Sequence, residues 1–88
     1  MTFREAFGER LLVARFNLRM SQEALAERGG IHPTQISLYE LGRRQPMLES
    51  FVRLSGAVDL SPGELLGPIR WTPGVHGAGA FDFGEEEA

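Results

Sequence analysis

The residue types that most often perform catalysis are scarce in this chain of 88 residues. It has no cysteine, and its two histidines, His32 and His76, are isolated from any group that would orient an imidazole as a base. There is neither a glycine-rich phosphate loop nor a cluster of metal-ligating side chains. We therefore expect no catalytic residue, no metal site and no cofactor, and we do not expect an enzyme.

The charged residues are divided unevenly along the chain. Nine arginines and 12 acidic residues give a net charge of -3, which argues mildly against a polyanionic partner. However, residues 68–88 hold only Arg70 against four acidic residues, so residues 1–67 are neutral as a whole. The excess negative charge belongs to the C-terminal segment, and the bulk charge says little about the surface of the first 67 residues.

Composition also bears on where the protein works. The absence of cysteine excludes a disulfide framework, and no stretch approaches the roughly 20 apolar residues that span a bilayer. The N-terminus mixes acids with arginines and has no apolar core of signal-peptide length. We expect a cytoplasmic protein with no membrane segment.

Helix-capping residues and the spacing of apolar residues predict five helices in residues 1–67. A serine or threonine followed three residues later by glutamate has the form of a capping box, proline suits the first helical position, and glycine ends a helix. These signals occur in chain order at Thr2 with Glu5, Ser21, Gly29–Gly30, Pro33, Gly42, Pro46, Ser61 with Pro62, and Gly67.

The apolar residues within these helices should face a common core. In the third helix we expect Ile36 and Tyr39 to point inward and the other side chains to face outward or lie at the edge. The apolar positions at helical spacing are Phe3, Phe7, Leu11, Ala14 and Leu18 in the first helix, and Leu48, Phe51, Val52, Leu54 and Val58 in the fourth.

Residues 68–88 change in character, with repeated glycines and three consecutive acids at the end. Two interpretations are open. Ile69–Thr72 and Ala80–Phe83 could pair as a short β-hairpin that leans on the bundle or on a second chain, because a lone hairpin is marginal in water. The alternative is a flexible acidic tail, which the composition slightly favours.

One stretch carries a specific combination of short motifs. It runs Met20-Ser21-Gln22-Glu23-Ala24-Leu25-Ala26-Glu27 and is followed by Gly30, Ile36-Ser37, Glu40, Gly42 and Pro46. These residues closely resemble the XRE or Cro/CI-like repressor family over roughly residues 6–67. The resemblance implies an all-α, five-helix lambda repressor-like helix-turn-helix domain over residues 1–67, with residues 68–88 as an acidic tail or a packing or dimerising hairpin.

The same resemblance implies a function. It predicts a sequence-specific DNA-binding transcriptional regulator, with a repressor favoured, whose third helix enters the operator major groove. By position, Gln22 would contact a phosphate and brace the third helix, and Gln35 would reach a phosphate or a base edge. The family's groove-entering positions are occupied here by Pro33, Thr34, Ser37 and Leu38, and its backbone-gripping loop positions by Arg43 and Arg44.

Several positions depart from the family pattern. Pro33 cannot donate a hydrogen bond, and Leu38 and Leu41 replace side chains that are commonly polar or basic in the family. Few base-specific donors are left, so we expect modest specificity or a contribution from indirect readout. His32 stands where a serine or threonine often caps the helix. Its imidazole could cap the helix, touch a phosphate or point into solvent, and we expect the last.

Glu40 lies at the predicted end of the third helix. A carboxylate beside a helix C-terminus is electrostatically unfavourable unless a cation compensates it. In the family an arginine late in the first helix supplies that cation, and Arg15 occupies its place here. We predict an Arg15–Glu40 ion pair with a structural role.

The expected partners are double-stranded DNA and a second copy of the chain. Half-sites about 34–36 Å apart need two recognition helices, so we expect a homodimer. Its interface could involve the apolar residues of the fourth and fifth helices, especially Leu60, Leu65 and Leu66, or the strands around Trp71 and Phe83. The alternative function is a protein-binding helix-turn-helix module, an antitoxin or a transcription-complex partner, that uses residues 68–88, since aromatics set among acids suit a basic, apolar groove.

Overall fold

The computed structural model describes residues 1–84, which form five α-helices followed by a two-stranded antiparallel β-hairpin. The five-helix class predicted from the sequence is confirmed. No helix within these residues combines the length and apolar character that crossing a bilayer requires. The elements are α1 (Phe3–Asn17), α2 (Gln22–Gly29), α3 (Pro33–Glu40), α4 (Leu48–Ala57), α5 (Pro62–Leu66), β1 (Arg70–Thr72) and β2 (Ala80–Asp82). The expected acidic end, Glu85 to Glu87, lies outside the described residues.

Side-chain caps begin three of the helices, α1, α2 and α5, at the predicted residues. The Thr2 hydroxyl accepts a hydrogen bond from the backbone N–H of Glu5, and the Glu5 carboxylate accepts one from the N–H of Thr2, at 3.2 and 2.7 Å. Ser61 and Glu64 form the same reciprocal pair at the start of α5, and the Ser21 hydroxyl caps α2. Each cap satisfies N–H groups that have no partner inside the helix, which locates the helix starts.

Two glycines allow α1 to lie close against the end of α3. A Cβ on Gly8 would collide with the carbonyl oxygen of Tyr39, and a Cβ on Gly42 would lie 3.0 Å from the Cα of Glu5. Gly42 also has a φ of +71°, which L side chains rarely adopt. Larger residues at either position would push the two helices apart.

The core joins all five helices, but it contains fewer residues of α1 and α4 than the sequence predicted. Leu18, Leu48 and Val52 are exposed at 40%, 77% and 49%. Leu18 follows the last turn of α1, and Leu48 and Val52 share a stripe of α4 beside the one that faces inward. The buried apolar residues are Phe7, Leu11, Ala14, Leu25, Ala26, Ile36, Tyr39, Leu54, Ala57, Val58 and Leu65.

Residues 68–84 contain the β-hairpin that one interpretation of the C-terminal segment predicted. Trp71 pairs with Phe81 across the strands, with ring centroids 4.9 Å apart. Phe81 packs on Phe3 of α1 at 5.4 Å, and the guanidinium of Arg10 donates a hydrogen bond to the carbonyl of Phe83 at 2.6 Å. A hairpin this short is marginal alone, so these contacts with α1 explain its formation where composition favoured a flexible tail.

Candidate nucleic-acid interface

The third helix presents one face to the core and one to solvent. Ile36 and Tyr39 are 0% and 5% exposed and hold α3 on the bundle. The opposite side is the surface that we call the recognition strip. It consists of Pro33 and Thr34, which are exposed, and Gln35, Ser37 and Leu38, which are half-buried.

The start of α3 differs from the expectation for His32. We expected its imidazole to point into solvent, but Nδ1 accepts a hydrogen bond from the backbone N–H of Thr34 at 3.1 Å, so the ring caps the helix. Pro33, at the first helical position, has no N–H. The N–H of Thr34 is therefore the first that needs a partner, and His32 is the residue placed to provide one.

The end of α3 is tied to α1 and α2 by a buried polar network. Arg15 donates from Nε and Nη2 to the two carboxylate oxygens of Glu40, at 2.7 and 2.9 Å, which is a bidentate pair. Nη1 of Arg15 donates to the carbonyl of Met20 at 2.8 Å, and Nε2 of Gln22 donates to Glu40 at 2.9 Å. We call these four residues the Arg15–Glu40 network. It connects three helices through one carboxylate.

Burial of Arg15 and Glu40 strengthens the electrostatic interaction between them. The side chains of Arg15 and Glu40 are only 10% and 4% exposed. Hydrogen bonding to Glu40 raises the pKa of Arg15 above its ordinary value. Within residues 1–84, no buried side-chain nitrogen or oxygen lacks a hydrogen-bond partner. Because a buried pair satisfied in this way has one good geometry, it holds α3 at a defined angle to α1 and α2.

The half-buried side chain of Gln22 belongs to this network. Of the two roles predicted for Gln22, its geometry corresponds to the brace on α3. The contact with a phosphate stays a prediction.

The chain turns sharply after α3 and presents two arginines. The N–H of Gly42 donates to the carbonyl of Tyr39 and the N–H of Arg43 to that of Leu38, both at 3.0 Å, which closes the helix. Arg43 and Arg44 follow directly and are exposed. The turn therefore places the loop that carries Arg43 and Arg44 beside the recognition strip.

One contact in this region could not be read from the sequence. Nη1 of Arg44 donates a hydrogen bond to Oε1 of Gln35 at 3.0 Å. The two residues are nine positions apart and meet only because the glycine turn folds the loop back on α3. The sequence also does not indicate that Arg4 lines a surface depression together with Arg43 and Arg44. Arg4 lies in the first turn of α1, where a cation is disfavoured, and this position alone distinguishes it in the sequence.

The described residues offer little for other chemistry. In residues 1–84, no three histidine or acidic side chains converge in a way that could hold a metal ion. His76 is exposed in the loop between the two strands.

The chain is similar to known proteins in sequence and in structure. Residues 14–65 match the family described as Helix-turn-helix. No protein with a curated description matches the chain significantly in sequence. Among solved structures, the restriction-modification controller protein C.AhdI from Aeromonas hydrophila is similar, with 34% identity and a TM-score of 0.69, over 70% of this chain and 94% of that one.

Two further solved structures are similar to the chain. The clp gene regulator ClgR from Corynebacterium glutamicum has 27% identity and a TM-score of 0.72, covering 75% of this chain and 70% of that one. The DNA-binding domain of the P22 C2 repressor has 35% identity and a TM-score of 0.66, covering 68% of this chain and 79% of that one. The match to the family spans α2, the turn, α3 and α4. The chain therefore belongs to the helix-turn-helix family, as a lambda repressor-like transcription regulator that binds DNA and is not an enzyme.

Proposed function

We propose that the protein represses transcription by binding an operator in double-stranded DNA, with α3 inserted in the major groove. The observation that carries this proposal is the position of the recognition strip directly beside Arg43 and Arg44. Base edges are read by hydrogen-bonding and apolar groups, and phosphates are held by cations. The strip and the loop supply both kinds of group on one continuous surface.

The recognition strip suits a limited direct readout. Thr34, Gln35 and Ser37 supply donors and acceptors, and Leu38 suits the methyl group of thymine. Pro33 offers only van der Waals contact. Because Oε1 of Gln35 is engaged by Arg44, its Nε2 is the group left to donate to a base. So small a set of base contacts makes sequence-dependent DNA shape a second source of specificity.

Contacts with the phosphates are assigned to both sides of the strip. Arg43 and Arg44 would hold the backbone beyond the C-terminus of α3. On the other side, the free N–H groups at the N-terminus of α2, which begins at Gln22, would donate to a phosphate. The side chain of Gln22 donates to Glu40, so we assign its backbone N–H to the phosphate and its side chain to the support of α3.

We propose that the protein acts as a homodimer, because two recognition helices must reach half-sites about one helical turn apart. The structure corrects one residue of the expected interface. Leu65 is 2% exposed and belongs to the core, so it cannot contact a partner. Leu60 and Leu66 are half-buried, and Trp71 is 51% exposed. Light scattering of the purified protein tests the dimer directly.

The test of DNA binding is selection of fragments from a genomic library at controlled salt and competitor concentrations. We expect salt-sensitive enrichment of a palindromic site. Gln35→Ala should relax the preference at one base position, and Arg43→Ala with Arg44→Ala should weaken binding to all sites. Arg53→Ala, which removes an exposed arginine of α4, is the control and should change neither the base preference nor the overall affinity for DNA. Absence of enrichment with folded, dimeric protein would contradict the proposal.

A protein partner for the hairpin is the second candidate. It is favoured by the exposure of Trp71 and Phe81, at 51% and 45%, on a surface that monomeric proteins usually keep polar. Trp71→Ala should then abolish partner capture and leave DNA affinity unchanged. Deletion of residues 68–88 should have the same effect on capture, whereas loss of DNA binding after the Trp71 change would count against a separate partner site.

A further inference from the structure

Three arginines surround one open depression beside the recognition strip. The depression has a volume of about 580 Å³ and is lined by Thr2, Phe3, Arg4, Arg43, Arg44 and Gln45. We propose that Arg4, together with Arg43 and Arg44, forms a phosphate-binding site that extends the DNA contact from the loop onto α1. We call these three residues the arginine cradle. The inference rests on the proposed function, because its ligand is the DNA backbone.

Backbone packing holds the two halves of the cradle together. Gly42, at the start of the loop, lies so close to α1 that a Cβ there would contact the Cα of Glu5 at 3.0 Å. Arg4 and Arg43 each adjoin one of these two residues. Their relative position therefore depends on the fit of the loop against α1 and needs no bond between the guanidinium groups.

The placement of Arg4 is unfavourable for α1 by itself. It is the second residue of the helix, where free N–H groups and the helix dipole already create positive charge. An arginine there adds positive charge to the positive end of the helix. Glu5 interacts favourably with Arg4, and a bound anion would offset the charge further. Within residues 1–84, Arg15, Arg28 and Arg53 pair with acidic residues, whereas Arg4, Arg43 and Arg44 have no ion pair.

The opposing charge in the first turn of α1 is Glu5. Its carboxylate accepts the N–H of Thr2, and hydrogen bonds from Thr2 lower the pKa of Glu5, so it is ionised at neutral pH. One carboxylate against three guanidinium groups and a helix N-terminus leaves the depression positive. The surface therefore selects for an anion.

The chemistry of the cradle fits phosphodiester groups. Each guanidinium presents a planar fork of donors that matches phosphate oxygens. Successive phosphates of one DNA strand are about 3.4 Å apart along the helix axis, so cations on α1 and on the loop can hold neighbouring phosphates of one strand. Such contacts strengthen binding to every sequence and carry no base preference.

The salt dependence of DNA affinity tests the cradle. We expect Arg4→Ala to reduce the slope of log K against log salt concentration by about 0.9, the value for one phosphate contact. Between 50 and 200 mM salt, the ratio of wild-type to variant affinity should therefore change about 3.5-fold. Arg4→Lys should keep most of the slope. Arg53→Ala removes the same charge from α4 and should leave the slope unchanged.

The outcomes separate this inference from the proposed function. If wild-type protein shows no salt-sensitive DNA binding, the proposed function fails. If wild-type protein binds with a steep slope and Arg4→Ala behaves like Arg53→Ala, only the cradle is wrong. Altered base preference in Arg4→Ala would also overturn it. A thermal melt verifies the fold of each variant, and Arg4→Gln provides a second neutral substitution if the alanine variant unfolds.

Discussion

Two regions of the protein are held by opposite kinds of contact. One is the junction of α1, α2 and α3, and the other is the C-terminal hairpin. At the junction, the charged side chains of Arg15 and Glu40 are almost fully buried and bonded to each other. In the hairpin, all six strand residues are exposed, and the contacts with α1 are an aromatic pair and one hydrogen bond to a carbonyl. The first region is built into the core, and the second is attached to its surface.

This difference shows how each region obtains its geometry. A buried ion pair tolerates only one arrangement, because a misplaced charge loses its partner and has no water to replace it. The hairpin has three residues in each strand and adopts its position only because α1 supports it. We therefore expect changes at the junction to act on the whole domain and changes in the hairpin to act locally.

The largest effect is expected from Arg15→Ala. It leaves Glu40 buried without a cation, and removal of one partner from a buried pair costs about 3–5 kcal/mol. Urea denaturation measures the loss in the free energy of unfolding. The matched control is Arg53→Ala, which breaks an exposed pair with Glu49 and should cost less than about 0.5 kcal/mol. Equal losses of unfolding free energy in the two variants would mean that the buried pair contributes no more to stability than the exposed pair.

A smaller effect is expected from Gln22→Ala. It removes one hydrogen bond to the carboxylate of Glu40 and keeps the bidentate pair with Arg15. A hydrogen bond to a charged group contributes about 1.5 kcal/mol or somewhat more, so the free energy of unfolding should fall by about that amount. Gln45→Ala, at an exposed loop position, is the control. If both variants lose the same stability, Gln22 does not brace α3.

Phe81→Ala should act on the hairpin alone. Its ring contacts Phe3, Trp71 and Phe83, and each aromatic pair contributes about 1 kcal/mol. Trp71 is the only tryptophan, so its fluorescence reports on the hairpin while circular dichroism follows the helices. We expect altered fluorescence and faster amide exchange in the strands, with the helical melting transition nearly unchanged. Val75→Ala, in the exposed loop, should change neither signal, and a large shift in the helical transition after Phe81→Ala would show that the hairpin supports the bundle.

The smallest effect concerns acid stability. Hydrogen bonds from Thr2 and Ser61 lower the pKa values of Glu5 and Glu64 below the ordinary value of 4.5. Because these pKa values are lower in the folded state, the contribution to stability is present above about pH 4.5 and is lost as the pH falls through the lowered pKa values. The double variant Glu5→Gln with Glu64→Gln should lose less stability on acidification than the wild type. Glu27→Gln is the control, and identical acid profiles for all three proteins would contradict the prediction.

Local features of this protein could be predicted from the sequence because they depend on residues close together in the chain. The capping boxes, the glycine turn after α3 and the inward direction of Ile36 and Tyr39 all follow from helix geometry over three or four residues. The pairing of Arg15 with Glu40 was available only through the resemblance to a known family. The change in composition after residue 67 indicated where the C-terminal segment begins.

Only the tertiary structure decided the contacts between distant residues. Apolar spacing marks two neighbouring stripes on α4, and only packing shows that Leu48 lies on the exposed one. The hairpin forms because Phe3 and Arg10 of α1 meet it, far away in the chain. The meeting of Arg44 with Gln35, and of both loop arginines with Arg4, depends on how the loop after α3 packs against α1. No short sequence pattern predicts these contacts, because each joins residues that are far apart in the chain and come together only when the helices pack.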